Sequence, residues 1–256
     1  DAVIMAAITR EGSVGLVNSI REKGIPVIDW VNGVATATDA KSLASYVAMG
    51  YNTCNWVAEK HPKGSGKVKA AWLPGPPGAG WVLAGEKGCN IAFEGTDVEL
   101  VHGGFADTGK ETQMGLVENV IQANSSGGDT ELDYIIGNAP AIEGAIQVKR
   151  DRGFKDLQLV AWYITPGIDL QIKRGNVEAA PSDQPVVTAR VAVDQAVRIL
   201  EGIDFVTGGA PAFGDPDRIS EHIGPKLSVV EKGDYGAFDS STTLAPADFE
   251  PVFHVE

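Results

Sequence analysis

The side chains best placed for chemistry are aromatic. Trp30 and the pair Trp162-Tyr163 close apolar runs that read as strands, and Tyr46 sits in a short segment, Ser45–Ala48, between elements. Aromatic faces attract methylated ammonium groups and also stack on sugar rings, so rings gathered at strand ends suit small-solute recognition. Successive strand residues point to opposite faces, so one of Trp162 and Tyr163 faces a core and the other is free for a ligand. The polar residues at strand ends are Asn32, Asn138 and Asp183. Asp183 lies in Pro181-Ser-Asp-Gln-Pro185 before a long helical pattern. It reads either as a capping carboxylate or as a ligand contact at a hinge. Asp29 and Asp39 flank one loop and read as solvated or capping.

Other chemistries lack their residues. The four histidines, His61, His102, His222 and His254, are scattered with no i,i+4 pair and no H-E-x-x-H. There is no G-x-S-x-G elbow, so neither a metal site nor a hydrolase triad is supported. Gly75, Gly78 and Gly80 make a glycine-rich strand-to-helix turn whose spacing is not G-x-G-x-x-G. It reads as a tight turn and helix start, or as backbone donors facing a cleft. Gly64-Ser-Gly-Lys67 lacks the Ser or Thr of a phosphate loop. The expectation is a binding protein without cofactor or metal, and not an enzyme.

The elements that must position these residues alternate. Strands are predicted over residues 2–9, 26–31, 67–73, 98–102, 132–137, 157–163 and 177–180. Helices are predicted over 15–23, 49–60, 80–93, 108–123, 140–152, 166–174 and 184–201. Residues beyond 206 are irregular with short strands. Strand–helix alternation of this kind gives a doubly wound parallel sheet with helices on both faces. Its ligand sits beyond the carboxyl ends of the strands. That is where Thr9, Trp30 to Asn32, Pro74 to Gly80, Asn138, Trp162 to Thr165 and Asp183 fall.

The chain has 256 residues, with 34 acidic against 21 basic and a net charge of −13. That charge argues against nucleic acid and anionic membrane surfaces as partners. No apolar run reaches the roughly 18 residues of a membrane span. The 31 glycines suit many tight turns. Cys54 and Cys89 are too far apart for a zinc pair and read as two small buried hydrophobes, with a single bridge open in an oxidising compartment. Asp1 is followed at once by the apolar run Ala2–Ile8. A core strand at the very start suggests a chain whose beginning is missing.

At this point the arrangement resembles the type I periplasmic binding proteins, and among them the periplasmic sensors of trimethylamine N-oxide (TMAO). The stretches that carry the resemblance are Pro26-Val-Ile-Asp-Trp-Val-Asn32, Ala48-Met-Gly-Tyr51, Leu73-Pro-Gly-Pro76 and Ile172-Lys-Arg-Gly175. Ala180-Pro-Ser-Asp-Gln184, Ala192-Val-Asp-Gln-Ala196 and Phe249-Glu-Pro-Val-Phe253 follow in the same order. The resemblance covers nearly the whole chain and implies two lobes, each a doubly wound parallel sheet. The N-terminal lobe would be residues 1–47 plus 184–203, lacking the family's first two strand–helix units. The C-terminal lobe would be 48–183 plus 204–256.

It also implies the ligand set. Tyr163 matches an aromatic cage position and Trp162 replaces another aromatic. Asp183 matches an acidic residue before the long helix. Tyr46 falls where the family has a tryptophan, and Pro77 and Trp81 depart from its pattern. The implied role is to bind TMAO or a similar small methylated solute in the periplasm and signal to the periplasmic sensor domain of a histidine kinase, with a homodimer in the complex. Two rival readings are a sugar receptor of an ABC importer and the effector domain of a LacI-like repressor. A sugar site would need more amide and charged side chains than Asn32, Asn138 and Asp183 provide.

Overall fold

The computed structural model describes residues 1–7, 9–204, 228–234, 238–246 and 248–252. His222, His254, Phe253 and Ile8 lie outside them, as does most of the irregular region expected beyond 206. The first elements are β1 (Val3–Met5), α1 (Val14–Glu22), β2 (Val27–Val31), β3 (Ala40–Leu43) and α2 (Tyr46–Ala58). Then come β4 (Val68–Leu73), α3 (Gly80–Phe93), β5 (Val98–His102), α4 (Lys110–Ala123) and a two-stranded hairpin, β6 (Ser125–Ser126) with β7 (Asp129–Thr130). The chain continues through β8 (Tyr134–Gly137), α5 (Ala139–Arg152), β9 (Gln158–Ala161), α6 (Pro166–Lys173), β10 (Ala179–Ser182), α7 (Pro185–Glu201) and β11 (Ser228–Glu231).

The strands form two main sheets. One is parallel, in the order β1-β2-β3. The other runs β11-β10-β9-β8-β4-β5, parallel except for β11 at its edge. Alternation along the central strands of the large sheet splits the core in two. Trp72, Ile136, Val160 and Trp162 point to the layer that includes α2 and α3. Leu73, Ile135, Leu159 and Ala161 point to the layer that includes α4, α5 and α6. Short apolar runs buried on both faces are what a parallel sheet between helices requires.

Local signals set the helix ends. Asn138 caps α5 by accepting from the N–H of Ala141, Pro140 sits in its first turn, and Gly153 ends it in the left-handed region. Thr165 caps α6 and Pro166 starts it. α7 starts at Pro185 and ends at left-handed Gly202. It lies on the small sheet, where Ala192 and Ala196 pack with Ile28 and Ala40. The Ser42 hydroxyl donates to the Thr188 carbonyl at 2.8 Å, and Trp30 Nε1 donates to Thr188 Oγ1 at 3.1 Å. The chain thus returns from β10 of the large sheet to cover the small one.

Several expectations are corrected. Tyr46 is not in a free crossover: it is the first residue of α2, capped by Ser45, whose hydroxyl accepts from the Ala48 N–H. β3 is a strand where none was expected. Residues 179–182, rather than 177–180, form the strand before α7. Asp29 is buried, not solvated, and its Oδ2 accepts from the Val34 N–H at 2.7 Å. Asp39 pairs with Arg21 and also accepts from Val27 N–H, and the guanidinium and this bond hold its carboxyl below the usual range against the pull of burial. Cys54 and Cys89 are buried as expected but form a disulfide between α2 and α3, with Cα atoms 5.1 Å apart.

That bridge fits a helix pair packed backbone to backbone. A Cβ on Gly50 would lie 2.0 Å from the Gly85 carbonyl oxygen, and one on Gly88 2.0 Å from that of Val47. Only glycine permits this approach. The close pair carries Tyr46 at the start of one helix and Trp81 at the start of the other.

Candidate functional site

The carboxyl ends of both sheets face a common region. From the small sheet come Arg10, beyond β1, and Asn32, just after β2. From the large sheet come Trp81, Trp162, Tyr163 and Asp183, and Tyr46 opens α2 just after β3 of the small sheet. The topology puts them there, since the parallel strands of each sheet end on the same side.

The aromatic side chains form one cluster. Trp81 stacks on Trp162 with centroids 5.2 Å apart and planes at 16°. Tyr46 lies 6.3 Å from Trp81 and 6.2 Å from Trp162. Tyr163 meets Trp81 edge-on at 6.4 Å and Trp162 at 5.8 Å. These separations suit tilted and offset aromatic pairs. Trp162 is fully buried, and its Nε1 donates to the Pro74 carbonyl at 3.1 Å. It is the floor of the cluster, while Trp81 and Tyr163 are half-buried above it. Both residues of the adjacent pair lie just past the end of β9; Trp162 is fully buried in the layer with α2 and α3, and Tyr163 is half-buried and packs against both core layers.

Two glycines make room for the tryptophans. A Cβ on Gly75, at φ +139°, would lie 2.6 Å from the Trp81 ring. A Cβ on Gly85 would lie 2.6 Å from the Trp162 ring. The glycine-rich turn after β4 thus serves to seat an aromatic ring at the site.

Tyr46 links the sheets. It is 9% exposed, and its hydroxyl donates to Asn32 Oδ1 at 2.8 Å. Asn32 Nδ2 in turn donates to the Ala7 carbonyl at 2.6 Å. Asn32 is aimed by an unusual backbone. Val31 has φ +71°, and the Asn32 N–H donates to the Trp30 carbonyl at 2.9 Å, a tight γ-type turn. A β-branched residue in the left-handed region is strained. Gln184, between β10 and α7, also has positive φ, +51°. Left-handed backbone therefore sits at two strand ends beside the site, at the end of β2 and just after β10.

Asn138 is placed differently. It is fully buried, donating from Nδ2 to the Leu73 carbonyl and to Gln113 Oε1 while Oδ1 caps α5. Its amide holds α5, β4 and the loop bound by Gln113 together and is spent on the protein.

Asp183 is half-buried beside Tyr163, and burial pushes its carboxyl up from the usual range, opposed by its own backbone N–H. Burial likewise pushes the Tyr163 phenol up to about 12; a backbone hydrogen bond from Ala139 opposes this, and the negative charges of Glu143 and Asp183 add to it. The phenol is neutral, and a competent donor, at any physiological pH. Arg10 reaches across from the small sheet: a Cβ on Gly80 would lie 2.9 Å from its Cδ. Trp81 and Arg10 are the site residues that sequence reasoning did not select. The available signal for Trp81 was its position just after a strand-to-helix turn at a carboxyl strand end.

A half-open aromatic surface with one desolvated carboxylate and a neutral phenol can hold a small cationic or zwitterionic solute. Among the described residues, no group of three or more His, Cys, Asp or Glu could hold a metal ion, and no helix is long and apolar enough to cross a membrane. Two doubly wound sheets, parallel except for the edge strand β11, are the architecture of the type I periplasmic binding fold. The family model for the periplasmic binding protein domain matches residues 1–204, and the chain belongs to that family.

Its relatives include the periplasmic protein TorT of Escherichia coli (strain K12). The two are 26% identical over 231 residues, which is 90% of this chain and 61% of TorT, so the chain spans about three fifths of that relative's length. The crystal structure of the TorS sensor domain–TorT complex in the presence of TMAO matches with a TM-score of 0.82 at 26% identity, over 99% of this chain and 79% of that one. An ABC transporter solute-binding protein from Bradyrhizobium sp. BTAi1, with bound bis-tris, is 41% identical. It matches with a TM-score of 0.82 over 99% of this chain and 71% of that one.

Proposed function

We propose that the chain is a periplasmic receptor for a small methylated amine solute of the TMAO type. In this reading the solute is captured between lobes 1–47 with 184–203 and 48–183 with 204–256, and reported to a TorS-like sensor kinase. The observation that carries it is the cluster of Tyr46, Trp81 and Tyr163 over Trp162 with Asp183 alongside. The faces of Trp81 and the two tyrosines attract the methylated, positively charged nitrogen, each contributing about 0.5–2 kcal/mol when desolvated. The Asp183 carboxylate favours the same end of the solute. The Tyr163 hydroxyl donates to its oxygen. No bond is made or broken. Capture draws the lobes together, and the closed form is what a partner reads.

Sugar binding fits less well. Sugars need several free amides and carboxylates, whereas Asn32 and Asn138 are committed to protein partners. The disulfide supports an oxidising compartment such as the periplasm, and counts against a cytoplasmic repressor. A second reading keeps the same site but delivers the solute to an importer. It is favoured by the 41% identity to the Bradyrhizobium transporter protein.

The test is a thermal-shift panel followed by partner binding. TMAO, trimethylammonium and betaine are expected to raise the melting temperature, and ribose and glucose to leave it unchanged. The kinase sensor domain is expected to retain the liganded protein on a column. Stabilisation by a sugar alone would overturn the solute assignment. Retention by an importer's membrane subunits, and not by the sensor domain, would select the second reading.

A further inference from the structure

The large sheet carries a second recess at its opposite end. It lies where α5 ends and β9 begins, and encloses about 350 Å³. That is within the size range of small-molecule sites. Ile146, Phe154 and Leu159 give it an apolar wall, with Phe154 and Leu159 almost wholly buried. Lys149, Arg150 and Lys155 line it with positive charge. In a chain of net charge −13, this local concentration of cations around a concave apolar surface runs against the average.

The cations have defined surroundings. Lys149 is half-buried, and its Nζ donates to the Leu157 carbonyl at 2.5 Å. Burial lowers its pKa; Glu178 and Asp156 oppose this and Lys232 reinforces it. Glu178, one of the two acids that favour its charged form, is itself engaged by Lys232 at 3.2 Å. Arg150 is exposed and touches Asp151 and Gln147, and Lys155 is exposed at the rim. A desolvated ammonium beside an apolar wall gains most from an anion that buries an apolar body with it. The recess is separate from the aromatic cleft: none of its lining residues belongs to the aromatic cluster, and its Leu159 lies in the layer with α4, α5 and α6 whereas Trp162 lies in the layer with α2 and α3.

We propose that this recess is a second ligand site, for a small carboxylate with an apolar body, such as a short-chain aliphatic or aromatic acid. The carboxylate meets Lys149, Arg150 and Lys155, and the carbon chain lies on Ile146, Phe154 and Leu159. The probe is hexanoate, titrated into the whole ¹⁵N-labelled chain and followed by amide shifts. The controls are hexanol, which lacks the charge, and inorganic phosphate, which lacks the apolar body. Saturable shifts at Gly153, Phe154 and Lys155 with hexanoate are expected, and much smaller ones with either control. Arg150→Glu with Lys155→Glu, both exposed, is expected to weaken hexanoate about tenfold. The same variant leaves cleft ligands unaffected. Absence of shifts at these residues, shifts of equal size with hexanol or phosphate, or an unchanged affinity in the double variant would each overturn the proposal.

Discussion

Replacing both cysteines by alanine tests what holds the site's two helices in register. The bridge joins residues 35 apart, from the middle of α2 to the end of α3. Loop-closure entropy for a loop of that length is about −13 cal/mol/K, or about 3.8 kcal/mol at 25 °C. For a domain of this size each kcal/mol moves the melting temperature by roughly 2–4 °C. Cys54→Ala with Cys89→Ala is therefore expected to melt about 8–15 °C below the parent. Parent protein treated with reductant should fall to the same value, since both lose one covalent link. Circular dichroism at fixed heating rate reads both. Tyr46 and Trp81 begin the bridged helices, so solute affinity should also weaken in the variant. A melting temperature within about 2 °C of the parent would refute the reasoning. It would mean that the glycine contacts of Gly50, Gly85 and Gly88 fix the helix pair by themselves.

Trp81→Leu keeps apolar bulk over Trp162 but removes a π face, and should cost roughly 2- to 30-fold in affinity for a methylated ammonium, measured by calorimetry. Tetramethylammonium, whose charge is fixed, should lose affinity as pH falls through the raised pKa of Asp183, and should lose none on the alkaline side, where ionisation of the Tyr163 phenol near about 12 adds a second negative charge. Asp183→Asn should abolish that acid-side dependence. The stability of the unliganded protein should show the opposite sign. A carboxyl whose folded pKa is raised adds stability when protonated and loses it as pH rises through that pKa, so Asp183→Asn should not lower the melting temperature at neutral pH. Val31→Asn should relieve left-handed strain at φ +71° and stabilise by about 1 kcal/mol, read by denaturant unfolding.

Where periodicity was strong, the fold was legible. Gly80–Phe93 and Val98–His102 are read correctly to the residue, because the first has helical spacing after a glycine-rich turn and the second is a short apolar run. β3 was not legible. Ala40-Lys-Ser-Leu43 has little strand propensity of its own, and its state comes from pairing with β2 and from α7 above it. Tyr46 read as a linker because its helix starts with Ser45 as cap, three residues before the apolar spacing becomes clear. The disulfide had no local signal, since the approach of Cys54 to Cys89 depends on glycines facing each other across two helices.

The site shows the same division. The placing of aromatic residues beyond strand ends follows from topology; that Trp162 is fully buried and Tyr163 half-buried does not follow from strand alternation, because both lie past the end of β9. Whether a polar side chain is spent internally does not. Asn32 and Asn138 are both at strand ends, yet one braces Tyr46 and the other is locked under α5. Trp81 stood out as a departure from the family pattern and by its place just after a strand-to-helix turn, but a lone tryptophan on a helix is usually core. Its role becomes clear only when its ring is seen stacked on Trp162.

The central claim is that the aromatic cluster recognises a methylated, positively charged nitrogen. Calorimetric titration of TMAO against tert-butanol tests it most directly, since the two share a shape with three methyl groups and only TMAO carries the charged nitrogen. The account predicts saturable heat with TMAO and an affinity at least about tenfold weaker for tert-butanol. Equal affinities, or no heat with TMAO in a preparation that binds ribose, would contradict it.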